Sequence, residues 1–377
     1  MATSDVNDRF TDPNGTSGTN TSQPAPPTAL VMKAYKSFNE ETDIVENQIE
    51  YVTAGIWSNN EGSLITYYTS SGQTTNQKRY YLEIFQSESY ADNAEAQFSL
   101  AFGHVWGSGS TITNYDYPTK ATYTQYKNIL NDDLNSAISV GGTESDFYYF
   151  VNINRSRYRN KIDPGNWEIN LAKLDGAFAP DGSGDVYTFI DDSGDTSQTV
   201  YSSRATGRVY SLVSGSLSDG IYNLAAYGLA YPDLGILLFD GPMLDTYVGF
   251  GTETGSNVEG ENAKKMFAAM DAAKDIDSNY AFTARNVERI TSNHYFVRVM
   301  NGEFNFSNNP TFYVTESNGD RPYGSIRHID MIGDPKTFLT TIGLYDSRNR
   351  LLAVAKTSQP ILKSYSNEAL VKVKLDF

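Results

Sequence analysis

Residues 146–176 read DFYYFVNINRSRYRNKIDPGNWEINLAKLDG. The aromatic and β-branched run Phe147–Val151 favours extended backbone, so a strand is predicted over 146–159. NWEINLAKLDG (166–176) is predicted as its return, and DPGNW (163–167) as a tight turn with Pro164 and Gly165 at favoured positions. Within this stretch Arg155, Arg157, Arg159 and Lys161 occupy every second position. Alternate side chains of a strand share a face, so the four would stand in a row at intervals of about 6.6–7 Å, with Ser156, Tyr158 and Asn160 behind them. Like charges in a row repel, and something must offset them. Three readings compete: solvation or pairing within the chain, carboxylates on a neighbouring subunit, and nucleic acid. No Gly-rich run of backbone donors flanks the row to make a phosphate site. Arginine suits a carboxylate partner because its fork makes two bonds.

Outward from this stretch the chain keeps a strand-and-turn texture. ITYYTSS (65–71) and KRYYLEIFQS (78–87) read as strands around GQTTNQ, and AQFSLAFGHVWGSGS (96–110) as another before a Gly/Ser turn. PTKATYTQYKNILNDDLNSA (118–137) changes period. Pro118 suits a first helical turn, and Tyr123, Tyr126, Ile129, Leu130 and Leu134 recur at helical spacing. VYTFIDD and TSQTVY around SGD (186–201) give a hairpin signal. AKKMFAAMDAAKD (263–275) is predicted as a helix with Met266, Phe267 and Met270 on one face, serving as packing.

Two further hairpins are predicted, HYFVRVM–NG–EFNFS from 294 and TFLTTIGLYD (337–346) with RLLAVAKT (350–357). In EALVKVKLDF (368–377), Val371, Val373, Leu375 and Phe377 fall on one side and Lys372, Lys374 and Asp376 on the other. That alternation predicts a half-buried strand, and so a sheet that reaches the last residue.

These elements predict a mainly β fold (β-rich α+β), with a larger mixed domain at 29–255 carrying one or two helices. An acidic connector and helix follow at 256–275, then an antiparallel, β-sandwich-like domain at 276–377. Residues 1–28 are polar and turn-rich, and are predicted as an extended or disordered arm.

Composition removes several functions. The net charge of −16 opposes non-specific nucleic-acid binding, which needs basic surface to release counterions. No apolar run reaches the roughly 18–20 residues of a membrane span, and LAAYGLAYPDLGILLF (224–239) is broken by Pro232 and Asp233. No signal peptide is expected. Without cysteine there is no disulfide or thiolate chemistry, and only His104, His294 and His328 offer imidazole.

The runs DGSGD and DDSGD look calcium-like, but positions 6 and 12 counted from Asp181 hold Val186 and Asp192 instead of Gly and Glu, so turns are predicted. GSGS (107–110) lacks the Lys and following helix of a phosphate loop, and Asp233 is read as a buried turn carboxylate. Paired acids for glycoside hydrolysis are not singled out by any spacing. No catalytic, cofactor-binding or metal-binding residues are assigned, and no cofactor is expected.

AFGHVWGSGS (101–110), TYTQYKNILN (122–131), YYFVNINRSRYRNKIDPGNWEINL (148–171), ATGRVYSLVSGS (205–216), AYGLAYPDLGILLFD (226–240), FNFSNNPTFY (304–313) and the last 43 residues from Pro335 resemble blocks of a family of virion structural proteins. That family occurs in contractile-tailed bacteriophages, notably the T4-like phages of marine bacteria. The resemblance covers most of the chain from about residue 95 and implies a non-enzymatic part of the particle. The tail apparatus, baseplate or neck, is favoured over a capsid decoration protein or a carbohydrate-binding tail-fibre adhesin. The implied location is the virion, assembled in the host cytoplasm. Implied partners are other virion proteins and copies of the chain itself in threefold or sixfold symmetry, with no direct nucleic acid and no membrane insertion. On this reading Arg155, Arg157, Arg159 and Lys161 form an interface with carboxylates of a neighbour.

Overall fold

A computed structural model describes residues 36–39, 41–57, 63–64, 68–69, 72–86, 95–111, 116–176, 178–195, 207–255, 258, 260–277, 281–307, 309–314 and 324–377. The arm expected at 1–28 and the second half of the hairpin expected at 186–201 lie outside these residues. In chain order the elements are β1 (Ile44–Gly55), β2 (Ser63–Leu64), β3 (Tyr68–Thr69), α1 (Thr75–Lys78), β4 (Leu82–Phe85), β5 (Ala96–His104), α2 (Pro118–Leu130), β6 (Ser139–Val140), β7 (Thr143–Glu144), β8 (Phe147–Ile153) and β9 (Lys161–Ala172). They continue as β10 (Val186–Asp191), β11 (Tyr210–Ser216), β12 (Gly220–Tyr231), β13 (Ile236–Asp240), α3 (Gly241–Tyr247), α4 (Glu261–Asp277), β14 (Phe282–Val299), β15 (Thr337–Tyr345), β16 (Leu351–Lys363) and β17 (Ala369–Asp376). The fold is mainly β, with 47% strand and 17% helix.

Two compact units divide the chain at Gln48/Ile49 and Ile290/Thr291, and not at 255 and 276. The larger unit, Ile49–Ile290, is organised by an antiparallel sheet whose middle runs β9-β10-β11-β12-β13-β8-β5-β4. At its heart Leu238, Phe150 and Ala101 stand side by side on β13, β8 and β5, as do Leu237, Val151 and Leu100 one residue along. Successive side chains of a strand point to opposite faces. Tyr148, Phe150, Ile236 and Leu238 therefore join a core with Tyr123, Tyr126 and Leu130 of α2. Tyr149, Val151, Leu237 and Phe239 join the other core, with Met266, Ala269 and Met270 of α4. A strand covered on both faces has no polar side, which is why FYYFV and ILLF are apolar without alternation.

α2 starts with Pro118 at its first turn, and Thr119, Thr122, Tyr123, Tyr126 and Leu130 form its buried stripe. It ends at Leu130, short of the predicted 137, and leaves Ile129 and Leu134 exposed. The Tyr126 ring stacks on Phe150 at 4.0 Å and 7°. This close approach needs Gly103 on β5, where an added Cβ would meet the Tyr123 backbone at 2.9 Å. α4 seats its methionines in the core, as the packing reading requires, and buries Lys265 beside them. The Lys265 Nζ donates to the carbonyls of Gly176 (2.9 Å) and Gly251 (2.5 Å) and pairs with Glu253 (3.3 Å), tying the helix to two loops.

Several pairings differ from expectation. β9 does not return along β8. It pairs with β10 and with Phe282–Val287 of β14, while β8 lies between β13 and β5. In the smaller unit, β14 from Ser292 to Val299 pairs with β17, so EFNFS is not the second arm of a hairpin. The turn at Asn301–Gly302 forms, but the Asn301 carbonyl accepts from Lys363 Nζ (2.8 Å) and Asn305 Nδ2 (2.6 Å), which draws the chain out of a ladder. The β15–β16 hairpin is present, closed by Asp346 and by Asn349 at φ 58°. β17 half-buries Val371 and Leu375 and buries Val373 as its alternation predicts, but Phe377 lies past it, 73% exposed.

Two outcomes test this account. Gly103→Ala should lower the unfolding free energy in urea by about 1–3 kcal/mol, because a methyl group is forced into a filled contact. Alkaline titration should also unfold the larger unit. Burial pushes the Tyr126 hydroxyl up to about 12 and those of Tyr148 and Tyr149 higher still. A folded pKa above the unfolded value of about 10 gives stability that is whole below that pH and lost as the pH rises through the folded value. Tyrosinate absorbance and loss of circular dichroism should therefore rise together between about pH 10 and 12.

Candidate functional site

The basic row is not a strand face. β8 stops at Ile153, and Arg155–Arg157 make one 3-10 turn capped by Asn154, whose side chain accepts from Ser156 N at 3.2 Å. A short polar side chain that captures a nearby N–H competes with the ladder and ends the strand. Arg155 folds back, donating to Tyr158 O (2.5 Å) and lying over the Tyr158 ring at 4.6 Å. Arg157 reaches Glu95 (3.4 Å) and Ile56 O (3.4 Å), and Arg159 pairs with Glu288 at 2.6 Å. Ser156 also hydrogen-bonds Glu95. Lys161 opens β9, half-buried, with no ion pair among the described residues. The like charges are thus dispersed by backbone geometry, and two of the four are offset by carboxylates of the same unit.

Groups with shifted titration are the usual markers of catalytic chemistry. Burial raises the carboxyls of Asp191, Asp192 and Asp240. Each serves the backbone: Asp191 accepts from Gly165 N (2.9 Å) and Ser193 N (3.0 Å), Asp192 from Ser211 N (2.9 Å), and Asp240 caps α3 through Met243 N (3.1 Å). Burial lowers His104, which stacks on Phe147 and accepts from Trp106 N at 3.0 Å. Asp233 is exposed, in the tight turn between β12 and β13, and not buried as expected. GSGS is pinned to α2, Thr119 donating to Ser108 O at 2.8 Å. Asp181 in DGSGD accepts from Ser183 N (2.9 Å) and pairs with Lys173 (3.2 Å). Among the described residues no group of three or more His, Asp or Glu is placed to hold a metal ion, and no helix is long and apolar enough to cross a membrane.

One open cavity of about 730 Å³ lies between the β9 turn at Gly165, the end of β10 and the β11–β12 hairpin. Tyr222 stands in it, 59% exposed, with its hydroxyl held by Asp219 (2.9 Å) and Ser216 (3.0 Å).

The β15–β16 ribbon carries apolar side chains on both of its faces. Its inner side half-buries Leu339, Ile342, Ala353, Ala355 and Ile361 and buries Leu344. Its outer side pairs Phe338 with Leu362, Gly343 with Val354 and Tyr345 with Leu351, and all five large side chains stand 39–60% exposed. An isolated two-stranded ribbon is marginal in water, and contiguous exposed apolar surface marks a contact. Apolar strand residues are read as core unless the second covering layer is known to be missing. The consecutive pair Leu351–Leu352, which breaks the alternation, is the one local sign of it.

Comparison with protein-family models, with curated proteins and with solved structures returns no match for this chain.

The four cations should separate by alanine substitution. Arg157→Ala strips contacts from Ile56 O and Glu95 and should lower stability in urea by about 1–3 kcal/mol. Arg159→Ala, which removes an exposed pair, should change it by less than about 1 kcal/mol.

Proposed function

We propose that this chain is a non-enzymatic structural subunit of a tailed bacteriophage particle, placed in its tail apparatus (baseplate or neck) and acting through subunit contacts. The observation that carries the reading is the outer side of β15–β16, an apolar strand face that the described residues leave exposed. The ribbon falls inside the longest block that resembles the virion family, Pro335–Phe377. The acidic balance of the chain suits a component that must not adhere to the genome it accompanies. The raised carboxyls fit this reading too, since each is engaged by backbone N–H groups. Arg159, 71% exposed at its side chain, and Lys161 are the members of the basic row that can still reach a neighbour's carboxylates.

A second reading, a glycan-binding tail-fibre adhesin, is favoured by one observation, the Tyr222 ring fixed beside the 730 Å³ cavity. Saccharide binding by the purified chain that is lost in Tyr222→Ala would support it.

Location in the intact particle by electron microscopy, with copy number from quantitative mass spectrometry, tests the principal reading. Copies at about six or twelve per particle, at a symmetric tail position, are the expected result. Copies in the hundreds would move the chain to the shell as a decoration protein, and absence from the particle would overturn the structural role.

A further inference from the structure

β15 and β16 pair with each other and, among the described residues, with no other strand, so the ribbon has two open edges. The edges are not alike. Between Leu339–Ile361 and Thr341–Lys356 the ladder skips Thr340 on β15 but Thr357–Pro360 on β16, and beyond Leu344–Ala353 it skips Leu352 of β16. β16 also carries exposed Lys356, and Pro360, which has no N–H to donate. Irregular pairing, lysine and proline are the devices that keep a sheet edge from joining another chain. β15, Thr337–Tyr345, has no charged residue and no proline. Such a strand at an edge is a template for a further strand. In a chain of −16 a neutral edge is also where two copies approach with least repulsion.

The order of side chains along β15 says which strand. Phe338 (60%), Thr340, Thr341, Gly343 and Tyr345 (59%) are exposed, whereas Leu339 and Ile342 are half-buried and Leu344 is buried. With the two threonines counted as one bulged position, the strand reads aromatic, Leu, Thr, Ile, Gly, Leu, aromatic. That pattern is nearly the same from either end. Two copies laid antiparallel about an axis through Ile342 therefore set Phe338 opposite Tyr345, Leu339 opposite Leu344, and the threonine pair opposite Gly343. Residues directly opposite share a face of a sheet, so outward side chains meet outward ones and inward meet inward. Charge agrees at the ends. Asp334 and Arg348 are exposed with no ion pair among the described residues, Lys336 is exposed, and Asp346 is held by Arg350 at 2.7 Å. The antiparallel arrangement carries Asp334 of each copy to the Arg348 turn of the other, and Lys336 toward Asp346. A parallel one would set like charge beside like.

We infer that β15 pairs with β15 of a second copy of this chain, antiparallel and across a twofold axis, joining two ribbons into one four-stranded sheet. The inference rests on the reading of the ribbon as a subunit contact and names its occupant. A two-stranded ribbon is marginal in water, and added strands with an apolar face make it stable. Both copies use the same edge, so the contact is self-complementary. The guarded edge of β16 then stands at each outer margin of the four strands, and growth stops at the pair. One strand pair is small beside the roughly 800 Å² per partner of a standard interface, so the dimer is weak, with a dissociation constant above about 1 µM.

Sedimentation velocity on the full chain over a concentration series tests this, and a monomer–dimer equilibrium without larger species is expected. Asp334→Arg should weaken dimerisation about tenfold. Asp334→Arg with Arg348→Asp should recover it to within about threefold, a recovery that misfolding would not give. Cross-linking reads the register, since the chain has no cysteine. Under mild oxidation, an equal mixture of Phe338→Cys and Tyr345→Cys chains should form a disulfide between the two, as cross-strand neighbours about 5 Å apart. Either variant alone should not, because like positions stand about 20 Å apart along the ladder. A chain that stays monomeric to about 100 µM, association that continues past the dimer, a double variant no stronger than the single one, or a mixture that cross-links no better than its components would overturn the inference. A monomeric chain found at a symmetric tail position overturns the pairing and keeps the structural role. A dimer that cross-links as stated, in a chain absent from the particle, keeps the pairing and removes the role.

Discussion

Burial of one strand on both faces organises the larger unit. β8 carries Tyr148 and Phe150 to α2 and Tyr149 and Val151 to α4, so no side chain between them can be polar without a partner. The tyrosines meet this condition with bonds from their hydroxyls, Tyr148 to Ile138 O at 2.7 Å and Tyr149 with Thr252 at 2.8 Å. A buried hydroxyl without a partner would oppose folding by a few kcal/mol. The helices then have little freedom: α2 is held by ring stacking over Phe150, and α4 by Lys265 gripping two loop carbonyls. Edge elements differ in kind. Among the described residues, β1 and the outer side of the β15–β16 ribbon leave large apolar side chains exposed.

The same contrast explains what could be read from residues alone. Local signals did well. Pro118 marks the start of α2, the Ala-rich run marks α4, and the alternation of Val371, Val373 and Leu375 marks β17. Where a short polar side chain or a distant partner competes, local signals fail. The alternating cations imitate strand spacing, but Asn154 captures the Ser156 N–H and turns the chain. Asn–Gly at 301–302 makes its turn, yet the return arm is lost to Lys363 and Asn305, which take the Asn301 carbonyl. The pairing of β9 with β14 joins residues more than one hundred positions apart and leaves no local trace.

The candidate surface was still harder to read. Periodicity separates apolar from polar faces, but it does not show whether anything covers the apolar one. Phe338, Tyr345 and Val354 have the composition of core residues, and their exposure appears only when the inner side of the ribbon is found to be the side that is covered. The basic row attracted attention because charge stands out in an acidic chain. In space Arg157 and Arg159 pair with carboxylates of their own unit, Glu95 and Glu288, and Arg155 turns back on Tyr158.

Charge is distributed unevenly in a way the total conceals. A chain of −16 should repel its own copies at every orientation if the charge were spread evenly. Along the ribbon Arg348 and Lys356 are exposed, whereas the charged residues of 41–55 are all acids.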